Sequence, residues 1–243
     1  MRVHLYRMLA LPSFLLGCTT GPATETFPPP CVESETLTIG SLLVEPVDDE
    51  YVRGVDLDAR ASDERDARGC FQEDFEDPDG SAVDNNFGTL AALIEAAFGI
   101  DARTVFSESS LVLDVQGRGD GVCAAVSVTL DDGPRRTAEW NGTTLRARRL
   151  GDVPLRLTFG EASGLVLLHD AAVRMTLTVG RRIATVVVSG GLHIDDLTPI
   201  AAAGTGLDPG LIRTTLEGVA DLEPDERDVC SRISVSLEAH PPS

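Results

Sequence analysis

The densest chemistry in the sequence lies in an acidic stretch. It runs through Asp56, Asp58, Asp63, Glu64 and Asp66, then Asp74-Phe75-Glu76-Asp77-Pro78-Asp79-Gly80, and ends in Asp84-Asn85-Asn86. Calcium is a hard cation that takes about 6–8 oxygens, and clustered carboxylates, side-chain amides and loop carbonyls supply them. Asp77 and Asp79 stand at alternate positions before Gly80, which can turn sharply, and Asp84 and Asn85 return one loop later. These four residues are the candidate metal ligands, with Ca2+ as the candidate ion. The spacing is not that of an EF-hand, because the glycine falls fourth rather than sixth and no bidentate Glu occupies the twelfth place. A second solution stays open. Crowded carboxylates repel one another, and Arg53, Arg60, Arg65 and Arg68 in the same stretch could neutralise them without a metal.

Other catalytic patterns are absent from the sequence. Gly160-Glu161-Ala162-Ser163-Gly164 has the wrong spacing for the nucleophile elbow of a serine hydrolase, and it runs on into a strand pattern. Phosphate-binding glycine signatures are missing, and Gly190-Gly191 opens no helix. His169-Asp170 and His193-Ile194-Asp195-Asp196 could offer a general base or metal ligands, but each sits at a strand end, where a polar residue is ordinary. No catalytic residue is assigned. A hydrolase whose acidic pair meets only in the fold remains the alternative to a non-catalytic binding or structural domain.

The chain begins with Arg2 and Arg7, then the apolar run Met8 to Leu16, too short for a permanent span of ~20 residues. A basic start followed by a short apolar run is the pattern of a secretory signal. It ends in Leu15-Leu16-Gly17-Cys18, which resembles the lipobox of bacterial lipoproteins, although Leu16 departs from the usual small or β-branched residue. The resemblance implies that residues 1–17 are a signal peptide and that Cys18 carries lipid on its thiol and its new amino group. Several acyl chains, at ~0.8 kcal/mol per buried CH₂, anchor stably where one does not. Thr19 in place of Asp implies, by the sorting tendency of that family, the outer membrane. Residues 18–36, with Pro28-Pro29-Pro30, then form a semi-rigid tether. The body carries a second likeness. Gly69-Cys70, Asp77 to Gly80, Val83 to Gly88 and the ending Asp228 to Leu237 resemble uncharacterised acidic lipoproteins of high-GC Gram-negative bacteria, a likeness that brings no assigned activity.

Four cysteines follow the lipidation site: Cys31, Cys70, Cys123 and Cys230. An even number in an exported chain points to two disulfides, and three connectivities are open; we favour Cys31–Cys70 with Cys123–Cys230. A zinc site is disfavoured because no Cys-x-x-Cys pair or neighbouring His occurs. All 20 basic residues are Arg, and the formal net charge is −19, becoming −21 once Arg2 and Arg7 leave with the leader. That field opposes nucleic acid and anionic surfaces and suits cationic or protein partners and divalent ions.

Positioning these residues requires a fold, and period-two alternation supplies its signature. Leu111, Leu113 and Val115 share a face, as do Val126, Val128 and Leu130, then Leu155, Leu157 and Phe159, then Val173, Met175, Leu177 and Val179. A turn at Gly180-Arg181 should make a hairpin with Ile183 to Val188. Two helices are expected. One lies near 86–98, capped at Asp84 to Asn86 and stopped by Gly99; the other lies near 209–220, with Asp208 as cap and Pro209 at its first position. The expectation is one mainly β domain over 37–243, an antiparallel sandwich or barrel-like fold, with the acidic loop segment at 48–86. Val122 to Leu130 and Val229 to Leu237 share a pattern, readable as a duplicated strand unit or as two strands meeting one need.

Overall fold

Alternation does what it promises along most of the chain. The computed structural model describes residues 34–45, 47, 52–58, 75–78, 80–116, 126–140, 144–178, 183–224 and 229–240. The leader, Cys18, Cys31, Cys70, Asp79 and Cys123 lie outside them. The described strands are β1 (Glu35–Val44), β2 (Phe75–Glu76), β3 (Ala82–Val83), β4 (Ser110–Gln116), β5 (Ser127–Leu130), β6 (Arg136–Thr137) and β7 (Glu139–Trp140). They continue as β8 (Thr144–Ala147), β9 (Val153–Phe159), β10 (Ala162–Leu177), β11 (Ile183–His193), β12 (Leu222–Pro224) and β13 (Cys230–His240). Eleven of these form one antiparallel sheet in the order β6-β5-β4-β1-β13-β11-β10-β8-β7, with β9 on β10 and β12 on β13. β2 and β3 make a separate two-stranded sheet. The protein is mainly β, as its alternation implies, and the two end strands of its large sheet, β6 and β7, are consecutive in the chain with Ala138 between them.

One face of the sheet is aliphatic. Val173, Met175, Val186, Val188, Ile233, Val235 and Leu237 are all fully buried there and join a single core. Burying each such side chain contributes roughly 1.5–3 kcal/mol relative to exposure. The two strands expected to form a hairpin pair as β10 with β11, from Leu168↔Leu192 to Leu177↔Ile183, while the turn at Gly180-Arg181 lies outside the described residues. Strands β5 and β13, which carry the shared sequence pattern, both place aliphatic residues in this core but lie apart, with β4 and β1 between them.

Three helices are described, one more than the sequence suggests. α1 (Asn86–Phe98) has its expected bounds and ends at Gly99 in the left-handed region. α3 (Pro209–Glu217) has Asp208 accepting from the Gly210 and Leu211 N–H groups. The additional α2 (Ile194–Thr205) corrects the reading of His193 to Asp196 as a plain strand end. His193 caps it, Asp195 and Asp196 fill its first turn, and Pro199 sits inside it. An internal proline forfeits one backbone bond, and burial of Ile194 and Leu197 against the core compensates.

The other face is polar. Arg146 (β8), Arg174 (β10), Ser189 and Gly191 (β11), and Arg232, Ser234 and Ser236 (β13) all stand on it by register. It is not left to water. The described parts of the chain between β1 and α1, residues 52–58, 75–78 and 80–85, lie over it as a strap, tied internally where Val52 N–H donates to Glu76 O and Asp84 N–H to Val55 O. Gly54 is required at this contact, because a Cβ there would collide with Ser236 and Val83. Where β1 parts from β13, Asn85 takes over the ladder. Its Nδ2 donates to Glu45 O at 2.9 Å and its Oδ1 accepts from Ser236 N–H at 3.0 Å.

Candidate functional site

The acidic strap meets cations that stand on the sheet. Asp77 Oδ1 pairs with Arg174 Nη2 at 2.8 Å, with the Asp77 side chain 0% and the Arg174 side chain 6% exposed. Asp56 faces Arg148 at 3.8 Å, and Ser81 accepts from Arg146 at 2.6 Å. Within the strap Arg53 points elsewhere, bonding Glu238 at 3.2 Å. Among the described residues, Asp56 and Asp77 thus meet arginines far away in sequence, while Arg60, Arg65 and Arg68 lie outside the described residues.

The four residues read as candidate metal ligands go to different places. Asp77 is on Arg174, Asn85 bridges β1 and β13, and Asp79 lies outside the described residues. Asp84 joins Asp56 and Asp58, whose carboxylate oxygens lie within 4.8 Å of one another. This is a hard-oxygen set of the kind calcium takes. Part of it serves the fold, since Asp84 Oδ2 accepts from the Leu57 N–H at 2.6 Å.

Beside Asp58 the polar face opens into a cavity of about 210 Å³, lined in part by His169, Asp170, Gly191, Glu223 and Arg232. Its construction begins with a bulge in β10 between His169 and Ala172, opposite Gly190 and Gly191. Asp170 takes φ 53° to make it. Glu223 on β12 also has a positive φ, 60°. Both are non-glycine residues in the left-handed region, where the backbone costs of order 1–3 kcal/mol each. Both use the conformation on the same group: Arg232 Nη1 donates to Asp170 Oδ2 at 3.2 Å, and Arg232 Nε pairs with Glu223 Oε2 at 2.9 Å. Gly191 leaves room for Arg232, since a Cβ would come within 3.1 Å of its Cδ.

His169 is oriented from behind. Its Nδ1 lies 3.1 Å from Asp152 Oδ2, while the Asp170 N–H donates to Asp152 Oδ1. Burial opposes ionisation of Asp152, but the Asp170 N–H and the His169 ring outweigh it and hold that carboxyl below its usual range. With Nδ1 facing a carboxylate, the ring turns Nε2 away as its other functional atom. Behind the cavity, Asp221 accepts from Ser234 N–H at 2.7 Å and bonds the Ser234 hydroxyl. Burial pushes Asp221 up to about 7, and the Asp58 charge adds to the push against the Ser234 bonds. Asp152 also borders a second hollow, with Val112, Asp131 and Pro154.

His193 is spent on capping α2, its Nδ1 accepting from the Asp195 N–H at 3.3 Å. Cys230 is buried and disulfide-bonded, while the other cysteines lie outside the described residues, so the connectivity stays a proposal. Sequence reasoning named His169-Asp170 but missed Asp152, Glu223 and Arg232. Their spacing carries no motif, and the only local trace is a double glycine facing a His-Asp pair. Compared with protein-family models, curated proteins and solved structures, the chain matches none.

Proposed function

We propose that this chain is a cell-envelope lipoprotein, anchored in the outer membrane through Cys18, whose β domain is a non-catalytic binding or structural module. The observation that carries the non-catalytic reading is the fate of the carboxylates. Two of the three carboxylates that line the cavity, Asp170 and Glu223, end on Arg232 rather than forming an acid/base pair. The placement rests on the leader. Metabolic labelling with a palmitate analogue should mark the wild type, leave Cys18→Ala unmarked, and yield a mature terminus at Cys18. An unlabelled wild type overturns the anchor.

Calcium stabilisation belongs to the same reading, with its place moved to Asp56, Asp58 and Asp84. Calcium at ~100 times its Kd should add about 2.7 kcal/mol, raising the unfolding midpoint by several degrees over a chelated sample. Asp58→Asn should erase the difference. Equal midpoints with calcium and chelator in the wild type would remove the metal.

The alternative, an envelope hydrolase, has one observation in its favour: His169, oriented by Asp152, at the wall of a cavity. No Ser, Thr or Cys is among the described residues lining that cavity, so such an enzyme would have to activate water.

A further inference from the structure

We propose that the cavity between the bulge of β10, β12 and β13 is a binding site for an alkyl-ammonium group, such as a lysine side chain or a short diamine. This deepens the binding reading given above and rests on it. Among the described lining residues three carboxylates, Asp58, Asp170 and Glu223, face one guanidinium, Arg232, so the lining is net negative. Each carboxylate has two oxygens and about four lone-pair directions, so the bonds of Asp170 and Glu223 to Arg232 leave acceptor capacity on both. With Nδ1 of His169 taken by Asp152, the ring has Nε2 as its other polar atom at the cavity wall. An ammonium offers three donors and no acceptor, which matches a wall of this kind. Its hydrocarbon stem has Leu57 and Leu222 to rest on, so the site is apolar where the stem lies and anionic where the head lies.

A metal ion fits this cavity less well. Among the described residues, the carboxylate and imidazole atoms close enough to share one ion are those of Asp56, Asp58 and Asp84, and His169, Asp170 and Glu223 are not among them. Two strained residues reinforce the assignment. Asp170 and Glu223 hold positive φ while clamping Arg232, the kind of backbone cost that clusters at binding sites.

The test is calorimetric titration of the purified full-length protein, in chelator, with 1,5-diaminopentane, Nα-acetyl-lysine methylamide and the neutral 1-pentanol. Both amines should bind and the alcohol should not. The tighter of the two amines tells a free diamine from a protein side chain. Asp58→Asn and Glu223→Gln should each weaken amine binding about tenfold or more, with unfolding midpoints checked to show that both variants fold. Amine binding in both folded variants at wild-type affinity would overturn the site. So would pentanol binding as well as the amines, or no amine binding at all. None of these results touches the lipid anchor, which stands or falls on the labelling of Cys18.

Discussion

Asp77→Ala is expected to lose about 3–5 kcal/mol of folding stability, because it takes the buried carboxylate away from the Arg174 guanidinium buried with it. Domains of this kind are stable by only ~5–15 kcal/mol in total, so a loss of that size is a large share. Arg174→Met alone should cost a similar amount by leaving the Asp77 carboxylate without its guanidinium. The pair removed together should cost far less than the sum of the singles, since two buried charges leave with their desolvation penalty. Urea unfolding of the four proteins measures this as a coupling of at least about 2 kcal/mol. Additive losses, or an Asp77→Ala variant within ~1 kcal/mol of wild type, would show that the strap is held by its apolar contacts instead. The ion pair fastens the strap over the polar face, and the strap carries Leu57 and Asp58 to the cavity. Loosening it should therefore reduce amine binding in a variant that still folds.

That pair also shows how far sequence reasoning reaches. Alternation places Arg174 correctly on the face opposite Val173 and Met175, yet outward does not mean exposed when another segment covers the outside. Nothing local to Arg174 announces a partner 97 residues away. The same reasoning found α1 to the residue, because its apolar stripe, its approach through Asn85 and its stop at Gly99 all lie within one short segment. It failed for α2, where Pro199 argues against a helix and the tertiary contacts of Ile194 and Leu197 override it. Asn85 is the subtler case. It occupies the N-cap position, but its side chain makes no cap bond and instead joins β1 to β13. The cavity was the least legible part, since it is assembled from β10, β11, β12, β13 and the strap. Its one local sign was His169-Asp170.

The joint that Asn85 closes has a second buried acid, and that acid should make stability depend on pH. The Glu45 side chain lies at the end of β1 with the residue 6% exposed, and its Oε2 has no hydrogen-bond partner among the described residues. Burial pushes its carboxyl up from 4.5 to about 7; Glu238 adds to the push, and Arg53 and Arg103 oppose it. Arg53 lies 4.0 Å from Glu45 but 3.2 Å from Glu238, so it serves the neighbour better. The folded state therefore holds the Glu45 proton more tightly than the unfolded chain does. As pH rises from about 4.5 through about 7 the unfolded chain releases that proton first, and stability falls; above about 7 the loss is complete. A displacement of this size corresponds to about 3 kcal/mol. Glu45→Gln keeps the shape and removes the charge, so it should stabilise the protein by about 2–3 kcal/mol at pH 8 and by almost nothing near pH 4.5. Asp221, also pushed up to about 7, is present in both proteins and cancels from the comparison. Denaturant unfolding at half-unit steps across that range measures the difference. A gap between the two proteins that stayed constant with pH would mean that Glu45 is ionised throughout and that Arg53 and Arg103 stabilise it more than burial penalises it.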